Sequence, residues 1–366
     1  MRVRSCRATQ RCGWPAKPEL TTGPVTHMVS IDEVARQADV STATVSRALS
    51  GRGQVSPVTR ARVEAAAKEL GYVVSAAASS LATGRTRNIG VLLPYLDHWF
   101  FNTVLSGVAT ALARDGYDVT LYALPPDPIA RSAVFETALR RRRVDGVIVV
   151  SIELGESETA ELSSLGIPVI AIGGPIPNLE SLHVDDVALA RMATGHLLDL
   201  GHRRIAQIGG KPEFDLDFHL PDHRRQGWAE ALAEAGLGAQ LYEPEDFTIE
   251  GGHRAATKLL GSGAVEERPT AIFAVSDEMA IGAVLAAREL GLDVPGDVSI
   301  IGIDGHDLGE FFRLTTIDQF PHAQGERAAA AILARLESGG GTAASNSGDL
   351  PFRLVERATT GPVSRS

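Results

Sequence analysis

Cysteine is nearly absent from this 366-residue chain: it has two, Cys6 and Cys12. That excludes a disulfide framework, and a C-x5-C spacing without a second pair is not a zinc ligand set. Aromatic residues are scarce at 5%, while Ala, Val, Leu, Ile and Gly abound, a mix that favours helices alternating with buried strands. Long apolar runs are missing. Strings such as Gly146–Ile152 have the length of a strand, well short of the roughly 20 residues that span a bilayer. The N-terminal arginines precede no apolar stretch, so no secretory signal is read there, and a cytoplasmic chain without membrane contact is expected. Neither a Gly-rich phosphate loop nor a Gly-x-Ser-x-Gly nucleophile elbow occurs. No enzyme and no cofactor are therefore expected.

What is present is an ordinary globular composition, 44% apolar and 22% charged, which excludes a disordered or collagen-like chain. The length suits about two or three domains. The net charge of −10 is unevenly spread. Residues 1–27 carry Arg2, Arg4, Arg7, Arg11 and Lys17 against Glu19, and residues 28–87 hold eight basic against five acidic side chains. The remaining residues, 88–366, carry −17. A small basic head thus precedes a large acidic body. Residues 1–27 have no hydrophobic period and are predicted to be disordered. They read as an extension upstream of a true start at Met28, or as a basic arm on nucleic acid.

Regular patterning starts after Met28. Ser30 with Glu33 forms a capping box for a helix over Ile31–Ala38, whose inner face is Ile31, Val34, Ala35 and Ala38. Asp39 and Val40 make a short turn. Ser41 caps a second helix to about Leu49, with Val45, Ala48 and Leu49 inward and Thr42, Ala43, Thr44, Ser46 and Arg47 outward. Gly51–Gly53 ends it. Ser56-Pro57 opens a third helix, closed near Leu70-Gly71. This describes a helix-turn-helix unit, although periodicity alone leaves a plain three-helix bundle open. The outer face of the second helix has no acid. It offers methyl groups for thymine, an arginine for a guanine edge, and Ser41 at its start for a phosphate.

The run from Val29 to Ser50, VSIDEVARQADVSTATVSRALS, and its continuation Val55–Tyr72, VSPVTRARVEAAAKELGY, closely resemble the head of the lactose/galactose repressor family. The resemblance extends in order over nearly all of residues 29–360. It implies that the second helix reads an operator, with Thr42, Ala43 and Arg47 on bases and Ser41 and Ser46 on the backbone. It also implies that the linker 73–87 contains a hinge helix which orders only on DNA and enters the minor groove as a dimer pair. Leu81 matches the family's leucine wedge and Ala78 the small residue beside it. Val74 and Ser79 depart from the usual Pro and Arg, and one lost phosphate contact would make the salt dependence shallower.

From Asn88 strands alternate with helical patterns: Ile89–Leu93, Phe101–Asp115, Asp118–Tyr122, a helix over 129–143 with a basic end, then strands at Gly146–Val150, Val169–Ile172, Ile205–Gly209, Ala271–Val275 and Val298–Gly302, and a last one near Phe352–Val355. Residues 339–348 read as a flexible surface loop. Such alternation implies parallel sheets, and residues 88–366 are too many for a single comfortable core. The expected fold is therefore an all-α helix-turn-helix head, 29–72, a hinge, 73–87, and two doubly wound parallel-sheet α/β lobes, 88–366. Ligands bind such sheets beyond the carboxyl ends of the strands. Those positions hold Asp97, Trp99, Phe100, Phe101, Asp185, Asp186, Arg224, Ser276, Asp277, Asp304, His306 and Gln319, a mix of rings, carboxylates, an amide and a guanidinium that suits a small polar ligand such as a sugar.

The resemblance agrees, since the body looks like the periplasmic-binding-protein-like effector domain of the same family. It implies effector-binding roles for Phe100, Phe101, Arg224, Phe247, Asp304 and Gln319. Ser276 stands where Asn is usual, Gly305 where a second Asp is usual, and Leu189 where Gly is usual. Trp228 reads as core and Asp186 as a helix cap. His219, Asp222 and His223 lie close together but complete no metal geometry. The whole reads as a transcriptional repressor: a homodimer, with a tetramer open, on a near-palindromic double-stranded operator, controlled by an effector, most simply a sugar, between its lobes. The competing class is a solute-binding protein of the same fold with no regulatory role.

Overall fold

The structure, a computed structural model, describes residues 29–50, 54–72, 84–125, 127–141, 143–211, 219–238, 241–261, 267–338 and 348–363. The expectations for residues 1–28, for Gly51–Gly53 and for the hinge residues Ala78 and Leu81 lie outside them. The chain divides into two compact units, Met1–Thr83 and Gly84–Ser366.

Among the described residues the first unit has three helices, α1 (Ile31–Gln37), α2 (Thr42–Ser50) and α3 (Pro57–Leu70). Ser30 Oγ accepts from the Glu33 N–H while the Ser30 N–H donates to Glu33 Oε2 at 2.7 Å, the reciprocal box read from the sequence. Ser56 caps α3 ahead of Pro57, and Gly71 ends it at φ 67°, a left-handed conformation that glycine adopts without penalty. Val34, Val45 and Val63, one from each helix, are fully buried together with Ala35, Ala38, Ala48, Ala66 and Ala67. Small side chains let the short helices approach closely.

The second unit begins at Gly84. Thr86 and Arg87, expected in the hinge, are tied to the body: both backbone N–H groups donate to the Asp145 carboxylate, at 2.7 and 2.8 Å. In chain order come β1 (Asn88–Leu93), α4 (Trp99–Arg114), β2 (Asp118–Ala123), α5 (Pro128–Ala133), β3 (Gly146–Val150), α6 (Glu156–Ser164), β4 (Val169–Ile172), β5 (Glu180–His183), α7 (Asp186–Asp199) and β6 (Ile205–Gly210). There follow α8 (Leu220–Glu234), β7 (Tyr242–Glu245), α9 (Ile249–Gly261), β8 (Ala271–Ala274), α10 (Asp277–Glu289), β9 (Ser299–Asp304), α11 (Gly309–Phe312), β10 (Thr315–Asp318), α12 (Pro321–Glu337), β11 (Gly348–Asp349) and β12 (Arg353–Val355).

These strands form two sheets, ordered β11-β5-β4-β3-β1-β2 and β12-β10-β9-β8-β6-β7. Every pairing is parallel except the antiparallel β10–β12, and the doubly wound two-lobe architecture is as expected. The sequence order shows that the chain passes between the lobes after β5, after β10 and between β11 and β12. Helix α12 returns from the second lobe to pack on α4 and on β3 and β4. Gly107 and Gly325 permit that approach, because a Cβ on either would collide with the carbonyl of His322 or Val104 on the facing helix. Trp228 is buried in the core, as expected.

The structure departs from the sequence reading in a few places. Residues 129–143 are not one helix: α5 ends at Ala133, a π-type turn covers Val134–Ala138 and a 3-10 turn covers Leu139–Arg141. Phe135 and Leu139 are both buried in the cluster of β3 and β4, and the wider turn holds them there. Gly348, placed in a loop, pairs with Leu182. Strands β5, β7 and β10 were not read from the sequence, because ESLH, YEPE and TTID carry no apolar run. Pro244 is tolerated in β7 because that strand is a sheet edge.

Candidate functional site

In the first unit, the exposed side of α2 brings together Ser41, Thr42, Ala43, Ser46 and Arg47, every one of them exposed, while Val45 and Ala48 are buried. Ser41 caps the helix: its Oγ accepts from the Thr44 N–H at 3.2 Å and lies 2.9 Å from Thr44 Oγ1. The first turn of α2 has no acid, and Arg60 donates to the Ala48 carbonyl, which ties the far end of α2 to α3. The helix is thereby held as a rigid body with an acid-free polar face outward.

In the second unit a cavity of about 310 Å³ lies between the lobes. Its walls come from the segments that follow the carboxyl ends of β1, β3, β4 and β5 in one lobe and β6, β7, β8, β9 and β10 in the other. Phe100, Phe101, Arg224, Phe247, Ser276, Asp304 and Gln319 all line it. Asp185 does not. It is exposed and caps α7, its Oδ1 accepting from the Ala188 N–H at 2.9 Å. The two adjacent aspartates exchange the expected roles, because Asp185 occupies the cap position and Asp186, one residue on, turns inward.

Asp186 is 9% and Arg224 3% exposed, and they form an ion pair at 2.8 Å. Arg224 also donates through Nη1 to the Val275 carbonyl. A planar guanidinium clamped at two points is oriented in advance and keeps further donors for a ligand. Opposite in chemistry is Asp304, whose Oδ1 accepts from Gln319 Nε2 at 2.6 Å. The Gln319 backbone carbonyl in turn accepts from Gln324 Nε2 at 2.7 Å. Asp304 has φ 127° and is followed by Gly305 at φ 77°. Such a backbone costs an L-residue about 1–3 kcal/mol, and it aims a carboxylate into the cleft from the end of β9. Just behind, Asp277 Oδ2 accepts from the His306 N–H at 2.7 Å and from Thr316 Oγ1 at 2.9 Å.

Burial pushes Asp304 up to about 7, offset in part by the Arg224 charge. Burial first, and then the Asp304 charge, push Asp277 well above the usual carboxylate range. A carboxyl raised by folding contributes stability that is present below its ordinary pKa, near 4, and is lost as the pH climbs through about 7. Asp304→Asn should therefore match the parent in melting temperature at about pH 4 and exceed it by a growing margin up to pH 8. Thermal unfolding across that range checks this, and a constant difference at every pH would contradict it.

The cavity also uses residues that the sequence reading passed over: Tyr95, His98, Ser151, Asp246, Thr248 and Gln324. Tyr95, His98, Phe100 and Phe101 form a continuous set of ring contacts, with centroids 5.1–6.3 Å apart. His98 stands one residue before Trp99 in the segment already singled out, so its position after β1 was a usable signal. Gln324 lies in the first turn of α12 and carried none. His219 stands 3.8 Å from Glu153. Among the described residues no group of three or more His, Cys, Asp or Glu side chains is placed to hold a metal, and no helix is long and apolar enough to cross a membrane.

Residues 30–75 match the family described as bacterial regulatory proteins, lacI family, and residues 194–360 match the periplasmic binding protein-like domain. The HTH-type transcriptional repressor CytR of Escherichia coli (strain K12) is 33% identical over 337 residues, 90% of this chain and 96% of that one. The chain belongs to the lacI family of bacterial regulators. Among solved structures, the lac repressor dimer bound to operator and the anti-inducer ONPF superposes with a TM-score of 0.79 at 27% identity, covering 91% of this chain and 99% of that one. The complex of the transcriptional regulator CelR with cellobiose gives 0.65 at 29% identity, covering 90% and 99%. This lacI-family member is accordingly a DNA-binding transcriptional regulator with an effector domain, not an enzyme and not a plain solute-binding protein.

Proposed function

We propose that the protein is a repressor whose homodimer holds a near-palindromic operator and whose grip is set by a neutral, polyhydroxylated effector, a sugar or sugar derivative, in the cleft. Thr42, Ala43 and Arg47 read base edges in the major groove, and Ser41 and Ser46 contact phosphates. Ala78 and Leu81, from the linker, enter the minor groove between the paired heads.

The observation that carries the effector reading is the opposition, within one cavity, of a clamped guanidinium and an aimed carboxylate beside an aromatic wall. Vicinal hydroxyls donate to Asp304 and accept from Arg224, while the apolar face of a sugar ring stacks on Phe100, Phe101 or Phe247. The carboxylates Asp97, Asp186, Asp246 and Glu278, which line the cavity with Arg224 and His98, disfavour a phosphorylated ligand. The CelR complex, which holds cellobiose, supports a sugar by analogy.

A thermal-shift screen of mono- and disaccharides, their phosphates, and nucleosides on the full chain tests this reading. A neutral sugar should raise the melting temperature of the parent and not of Asp304→Asn. A response confined to sugar phosphates would contradict it.

A further inference from the structure

The lobes touch at a place outside the cavity. Trp99, at the start of α4 in the first lobe, stacks on His306, which follows β9 in the second, with ring centroids 4.5 Å apart and planes inclined by 20°. Its indole Nε1–H donates to Asp307 Oδ2 at 3.2 Å. Beside it His98 Nδ1 meets Glu278 Oε2, in the first turn of α10, at 3.3 Å. Trp99, His306 and Asp307 do not line the cavity, whereas His98 and Glu278 do.

We propose that this cluster is a latch: Trp99 and His98 of one lobe grip His306, Asp307 and Glu278 of the other, and the grip sets how far the cleft stands closed before any effector arrives. Several features support it. Among the described strands the chain crosses between the lobes three times, and the contact sits beside His98 and Glu278, which line the cleft. An indole–imidazole stack with a hydrogen bond has a defined geometry, which a sliding apolar contact lacks. The His306 ring is itself fixed, because its Nδ1 accepts from the Leu308 N–H at 2.9 Å. That bond places the ring proton on Nε2, and burial, opposed by the charges of Glu278 and Asp307, lowers the ring's pKa. The His98 pKa is raised, first by its bond to Glu278, so that contact gains an ionic component toward acid pH.

The consequence for function is one of populations. An effector that prefers closed lobes binds a latched protein more tightly, because less of its binding free energy goes into closure. Trp99 is thus a positioning residue that acts through lobe geometry rather than through ligand contact. The inference does not depend on which ligand fills the cavity.

The test needs no ligand. In the full chain, Cys6→Ser and Cys12→Ser remove the natural thiols. Spin labels at Ala160→Cys on α6 and Thr257→Cys on α9, both exposed positions, then report the interlobe distance by pulsed electron resonance, with unlabelled chain in excess. The parent should give one narrow distribution. Trp99→Ala and His306→Ala should each add a population longer by more than about 2 Å, raising the open share about ten-fold. Combining the two should open the cleft no further than either alone, because they break the same contact. Trp99→Phe, which keeps a ring for stacking, should restore most of the closed population, and Asp307→Asn, an external change that leaves the fold intact, should give a small opening. An unchanged distribution in Trp99→Ala, or additive effects of Trp99→Ala and His306→Ala, would overturn the latch.

Discussion

Replacing Arg224 with alanine is expected to lower the stability of the body by about 3–5 kcal/mol, because it strands the Asp186 carboxylate in a site 9% exposed. In a unit of this size that is a fall of roughly 10 °C in melting temperature. Effector response should vanish as well, so the single variant mixes two causes. Asp186→Asn with Arg224→Met separates them. The pair of uncharged side chains removes the buried ions together and should recover most of the lost stability, while the effector shift stays absent because the guanidinium is gone. Differential scanning calorimetry with and without the sugar found by screening measures both. A stable Arg224→Ala protein would mean that Asp186 finds another partner, and a retained ligand shift would mean that Arg224 does not touch the effector.

The second large effect is expected in the other unit. Arg47→Ala leaves the buried Val45–Ala48 face of α2 untouched and should leave the head folded. A bidentate arginine–guanine contact is worth about 1–3 kcal/mol of discrimination, and a homodimer loses it at both half-sites. Operator affinity should drop by one to several orders of magnitude, on the order of 30- to 10,000-fold. Binding to random duplex should fall only by the share of one phosphate-range charge per subunit. Fluorescence anisotropy on both duplexes at one fixed salt concentration tells the outcomes apart. Equal losses would place Arg47 on the backbone rather than on a base.

The head was almost wholly legible, because its signals are local. The Ser30–Glu33 box, the Ser41 and Ser56 caps, Pro57 and Gly71 each act within a few residues of themselves, and all occur where the spacing placed them. The central strands of the body were legible for a different reason. GVIVV and AIFA are buried on both faces and so appear as continuous apolar runs. Edge strands such as YEPE are half solvated, need no such run, and were missed. The broken helix after Asp127 was missed because tertiary burial of Phe135 and Leu139 decides its path, and periodicity within that segment does not report it.

The cleft was legible through topology: residues just past the strand ends had to converge, and Phe100, Phe101, Arg224, Phe247, Ser276, Asp304 and Gln319 do. The exchange between Asp185 and Asp186 marks the limit of that argument. A shift of one residue decides whether a carboxylate caps a helix or faces a ligand, and either aspartate satisfies the pattern. Gln324 and the Trp99–His306 stack depend on contacts between distant parts of the chain, and no local spacing reveals them.

What joins these parts into a regulator is coupling: the state of the cleft must alter the hold on DNA. The direct measurement is the affinity of the purified full chain for duplexes from beside its own gene, with and without the screened sugar, in the parent and in Asp304→Asn. The account predicts a specific complex whose affinity changes at least ten-fold with the sugar in the parent and does not change in the variant. The same affinity for target and random duplex, whatever metabolite is added, would contradict it.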